Sequence, residues 1–211
     1  MKTLRLSSLP GLVACAMAVC LIGDVRGQAA APTAAPSAEV VRIKKVTELG
    51  RDMYQKAPSL GGRSPKAKDW GVLDVTFDSL PEWMDEITIT YTVMLQNDKV
   101  KQGEKPFSLF QLTAAYRDVA QGRDRKAGVV MLPVAFERFG LPIGFAVQIF
   151  RDGDIIAESG MGAGSLSSQK KWWSESKIIE SQNVQKREGY LLERSKSPFA
   201  LVDIDSYEAS R

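Results

Sequence analysis

The chain has 211 residues, 44% of them apolar and 25% charged, which is enough for one domain with a sizeable core and argues against disorder throughout. It has no histidine, and both cysteines, Cys15 and Cys20, lie near the start. Ser-His-Asp triads and histidine-ligated zinc are thereby excluded, as are thiol chemistry and disulfides in a chain trimmed of that start. The net charge of +3 falls to about +1 once residues 1–28 are removed, so nothing in the balance points to nucleic acid.

Lys2 and Arg5 precede the apolar run LPGLVACAMAVCLIG at 9–23 and the small-residue stretch GDVRGQAAA, the layout of a secretory signal peptide over 1–28. Cleavage is expected between Gly27 and Ala30. LVAC at 12–15 loosely resembles a lipoprotein signal at Cys15, but the residues after it stay apolar where a lipid-anchored chain turns polar. A type IV pilin glutamate near the start is also missing. The protein is therefore read as exported, to the periplasm, the outer membrane or the cell surface, with no transmembrane segment in the mature chain. Residues 29–39, AAAPTAAPSAE, have nothing to bury and read as an Ala/Pro-rich linker ahead of a domain at 40–211.

In that domain VVRIKKVTEL is expected to be a strand from its β-branched content, and PSLGGRSPK at 58–66 a loop. WGVLDVTFDSL alternates Leu73, Val75 and Phe77 with Asp74, Thr76 and Asp78, and PEWMDE is expected to turn it into DEITITYTVML. There Ile87, Ile89, Tyr91, Val93 and Leu95 share one face, while Thr88, Thr90 and Thr92 share the other and should meet solvent or a partner. DKVKQGEK reads as a charged loop, PFSLFQLTAAYRDV as another alternation, and GVVMLPVAF, with Pro133 inside it, as an edge or bent strand. FAVQIFRDGDIIAES carries Asp152-Gly153 between two apolar runs and predicts a tight hairpin with Phe150 opposite Ile155 and Ile149 opposite Ile156. GMGAGSLSSQ is expected as a loop, SQNVQKREG as polar, and YLLER and PFALVDID as the last strands. About seven short strands without a long amphipathic helix predict an all-β, immunoglobulin-like antiparallel sandwich.

Chemistry is sparse. SESK at 174–177 fits S-x-x-K, but no K-T-G exists and a Ser/Lys-rich stretch produces such matches by chance. GMGAGS lacks the last glycine and the βαβ context of a phosphate loop. Asp152, Asp154, DID and Glu208 read as solvated surface rather than a calcium or glycosidase site. No cofactor, metal or catalytic residue is expected. The candidate binding residues are Trp172 and Trp173, one of which should point outward from a strand, and Trp83, placed in a loop near Pro81 as a plug at the sandwich end.

Three stretches, PEWMDEITITY, AAYRDVAQGRDRKAGVVMLPVAFERFG and KKWW, resemble a group of small exported, pilus-like proteins encoded beside type IV pilus components in mucin-degrading verrucomicrobia. The resemblance spans about residues 70–175 and rests on apolar, aromatic and turn patterns. It implies an immunoglobulin-like sandwich, an envelope location, partners among envelope or pilus-system proteins, and no reaction. The reading is a non-enzymatic envelope protein with a structural or interaction role. A carbohydrate-binding module for host glycans is the alternative, and a flat row of two or three exposed aromatics would favour it.

Overall fold

The computed structural model describes residues 40–58 and 68–208, so the expected signal peptide, the linker and most of the 58–66 loop lie outside the described residues. Among the described residues, eight strands form one hydrogen-bonded sheet: β1 (Val41–Val46), β2 (Tyr54–Lys56), β3 (Asp69–Gln96), β4 (Phe107–Met131), β5 (Leu141–Arg151), β6 (Asp154–Gly162), β7 (Val184–Arg187) and β8 (Leu191–Glu193). Their backbone is the antiparallel β3–β4 ribbon, which runs in register from Gly71 opposite Met131 to Gln96 opposite Phe107.

PEWMDE does not make a turn. It lies inside the 28-residue β3, and its single proline falls where the ladder is already interrupted. Ser79 pairs with Gly122 and Trp83 with Ala120, so β3 carries extra residues there, while Asp118 and Asp124 on β4 take φ values of 59° and 55°. Bulges of this kind increase local twist and let a strand pass from one layer to the next. Before the bend the ribbon is flanked by β1 and β2 on β3 and by β8 on β4. After it, β5 joins β3, β6 joins β5, and β7 joins β4 in parallel.

The two halves of the ribbon bury their apolar rows in one core. Leu73, Val75 and Phe77 from the first half and Ile87, Ile89, Tyr91, Val93 and Leu95 from the second are fully buried in the same cluster. The Tyr91 hydroxyl meets that of Tyr116 at 2.9 Å, so the one polar group in the row is satisfied. Burial pushes the Tyr116 hydroxyl up to about 12 and Tyr91 up as well. The chain is thus the expected all-β, immunoglobulin-like antiparallel sandwich.

Elsewhere the local expectations fare unevenly. The hairpin turns at Asp152 (φ 54°) and Gly153 (φ 89°), both in the left-handed region that a two-residue turn requires. Phe150 does face Ile155, but a bulge puts Ala157, not Ile156, opposite Ile149. Pro133 sits in the first turn of a short helix, α1 (Pro133–Phe139), where its missing N–H costs nothing, instead of within a strand. Gly160–Gly162 extends β6, so the loop expected from 160 starts later. The polar SQNVQKREG supplies β7, and PFALVDID is not a strand but a run of turns ending in a 3-10 turn at Ile204–Ser206.

Both outer faces are partly covered by chain that is not strand. Residues 194–208 lie against the first half of the ribbon, where Phe199 packs on Val72 and Val130. The segment between β6 and β7, which includes the short helix α2 (Ser176–Ile179), covers part of the second half.

Candidate interaction surface

The threonine row faces away from the core, and its two ends differ. Thr92 is 1% exposed and accepts a hydrogen bond from Gln111 Nε2 at 3.2 Å. Beyond it Met94, Leu109 and Ala146 lie under Leu166, Trp172, Trp173 and Val184 in a second apolar cluster. At the other end Thr88 and Thr90 stay half-buried, and Thr90 Oγ1 lies 3.0 Å from Thr113 Oγ1 across the strands. Glu86, Thr88, Thr90, Phe150 and the Asp152-Gly153 turn border an open depression of 410 Å³.

Trp172 and Trp173 form that cover and are not an exposed pair. They sit in a 3-10 turn, Trp172–Ser174, with rings 5.9 Å apart at 89°, and are 0% and 5% exposed. A strand would have sent adjacent side chains to opposite faces, whereas this turn delivers both to the sheet. Gly144 and Gly160 make room: a Cβ on either would lie within 2.6 Å of the Trp172 or Trp173 ring. Trp172 Nε1 donates to the Met161 carbonyl and Trp173 Nε1 to Glu158 Oε2, each at 3.0 Å. Glu158 also accepts from Lys171, which is the main reason its carboxyl is held below the usual range.

Trp83 is placed differently from the expectation. It lies in β3, next to the buried Met84, so alternation sends its ring outward, and it is 53% exposed with Leu80 at 41%. The surroundings are open as well. Pairing with β1 ends at Ser79 and pairing with β5 starts at Thr88, so among the described residues no strand flanks that side of β3 in between. The Leu80 N–H donates to the Val40 carbonyl at 3.1 Å, which puts the patch beside the first described residue. Three other edge strands are guarded: β1 carries Arg42, Lys44 and Lys45, β7 carries Lys186 and Arg187, and β6 has its bulge.

A half-buried carboxyl on the face that alternation assigns to solvent lies on the first half of the ribbon. Asp74 Oδ2 accepts from the Tyr207 hydroxyl at 2.7 Å, and its backbone is clamped by Thr47, whose Oγ1 accepts the Asp74 N–H at 2.7 Å. Its Oδ1 is buried without a hydrogen-bond partner among the described residues. Burial raises the Asp74 carboxyl above its ordinary 3.8, with Tyr207 and the Arg194 and Lys126 charges opposing the rise. A carboxyl raised on folding favours the protonated state, so its contribution to stability is greatest below the unfolded value and is lost as pH rises through the folded one. Asp74→Asn should therefore gain stability relative to wild type as pH goes from 3.5 to 7, read from urea midpoints. A difference that does not change with pH refutes the raised carboxyl.

Among the described residues no helix is long and apolar enough to cross a membrane. No curated protein matches the chain. The crystal structure of a protein from Akkermansia muciniphila is similar, with a TM-score of 0.65 over 81% of this chain and 92% of that one. At 19% identity that likeness concerns the fold alone. A family model matches residues 34–211, which takes in the whole described domain, and the chain belongs to that family.

Proposed function

We propose that the protein is an exported, non-enzymatic component of the cell envelope that binds another protein, in association with a type IV pilus-like or adhesion system. The observation that carries the reading is Trp83, exposed beside Leu80 on a stretch of β3 that no described strand pairs with on one side. Central, exposed aromatics are the residues that dominate protein interfaces, and open strand edges add backbone hydrogen bonds to them. The resemblance to pilus-linked verrucomicrobial proteins supports the setting, and the similar structure from Akkermansia muciniphila supports the fold. The signal-peptide layout supports export.

A glycan module is less well supported. Among the described residues Trp83 is the one exposed large aromatic, and the Trp172 and Trp173 rings are buried edge-to-face.

The test is co-purification of pilus-system proteins from native envelopes with wild type and Trp83→Ala. The variant should lose about thirtyfold in capture, the effect of a hot spot of about 2 kcal/mol, while melting as wild type does. Undiminished capture sinks the assignment of this surface. Loss of retention on immobilised mucin with capture intact would transfer Trp83 to the glycan reading.

A further inference from the structure

Three cationic side chains line one cleft, and among the described residues none of them is paired with a carboxylate. The cleft, of 480 Å³, lies between the turn after β3, the end of α1, and β7. The guanidinium of Arg187 lies over the Phe139 ring at 4.2 Å. Its Nε donates to Ser108 Oγ at 3.0 Å and its Nη2 to Gln185 Oε1 at 2.9 Å. Ser108 is 3% exposed, so this anchor is an interior group. The remaining donors of the fork have no acceptor among the described residues.

Arg138 Nη1 donates to the Tyr190 hydroxyl at 3.1 Å, and Tyr190 packs edge-on against Phe139 with centroids 5.0 Å apart. The same aromatic pair thus orders both arginines. Lys105 Nζ, the third cation, reaches the Val184 carbonyl at 3.2 Å. The one carboxylate on the wall, Glu104, is turned into its own loop, where it accepts the Lys101 N–H at 3.2 Å.

Exposed arginines normally lose side-chain entropy when they capture an anion, and here much of that ordering is already in place. A planar fork with free donors matches a carboxylate in two parallel hydrogen bonds. Val100 and Phe139 add an apolar wall, which suits a carboxylate on an aliphatic stem better than a fully hydrated tetrahedral ion. We propose that this cleft binds a carboxylate presented by a protein partner, as an Asp or Glu side chain or as a C-terminal chain end. The site is separate from Trp83 and stands independently of the reading built on that residue.

The full chain is titrated at low salt with three probes while the Arg187 Nε–H resonance is followed by NMR. The first is a short Glu-containing peptide blocked at both ends, the second a neutral peptide with a free C-terminal carboxylate, and the third sodium sulfate. A saturable shift with one of the peptides is expected, and which peptide gives it identifies the source. Arg138→Gln with Lys105→Gln, both at exposed positions, should weaken that binding about tenfold or more, and Arg187→Lys should do so despite keeping its charge. Raising salt should weaken it too. No saturable shift up to about 10 mM peptide, sulfate binding as tight as either peptide, or undiminished binding by the Arg138/Lys105 variant would each overturn the proposal.

Discussion

Trp172→Ala lowers stability by about 3–5 kcal/mol in chemical denaturation, the cost of removing a fully buried large aromatic. Three losses act together. The ring leaves a cavity in the cluster formed by Met94, Leu109 and Leu166, the Met161 carbonyl loses its donor, and the edge-to-face contact with Trp173 goes. Because this cluster holds residues 164–184 against the sheet, the variant should also become susceptible to protease in that segment before it unfolds globally. Gly144→Ala supplies the reciprocal test, since its Cβ would lie 2.5 Å from Trp172 Cζ2. It should destabilise the wild type and cost much less when Trp172 is already alanine. Additive losses would show that the ring and the glycine do not meet. A Trp172→Ala cost below about 1 kcal/mol would show that the segment does not depend on the tryptophan.

Ile89→Ala is the second large loss, about 2–5 kcal/mol, and Thr90→Ala beside it should cost under about 1 kcal/mol. Ile89 is 0% exposed and sits between Ala114 on β4 and Ile149 on β5, at the centre of the main core. No neighbouring strand can shift to close that cavity without breaking its own ladder. Thr90 points the other way and gives up one hydroxyl contact with Thr113 at a half-buried position, where water replaces it. Equal costs for the two substitutions would mean that the faces of β3 are assigned the wrong way round.

How far each feature was legible follows from the range of the interactions behind it. Alternation along WGVLDVTFDSL and DEITITYTVML assigned the buried faces correctly because the pleat imposes a period of two on any strand. Asp152-Gly153 named its turn because positive φ at both positions is a property of those residues themselves. Trp83 reads as a plug from the sequence because proline and the charged PEWMDE suggest a turn, whereas a bulge opposite Ala120 lets the strand continue with the ring outside. The four-residue β7 carries too little apolar pattern to be recognised and becomes a strand because β4 offers it an edge. The cationic cleft has no local signature, since Lys105, Arg138 and Arg187 come from a loop, a helix and a strand far apart in the chain.

The sequence by itself determined the all-β class, the inward rows of β3 and the hairpin, because these depend on side chains within a few residues of one another. Tertiary structure decided which outward faces stay open. Asp74 and Thr92 lie on faces that alternation marks as polar, yet Tyr207 covers one, and the apolar cluster under Trp172 and Trp173 adjoins the other. Those covering residues lie far along the chain, and they settle there because the sheet offers apolar area and glycine recesses that no local pattern encodes. Trp83 remains exposed for the converse reason: no described segment is positioned to bury it.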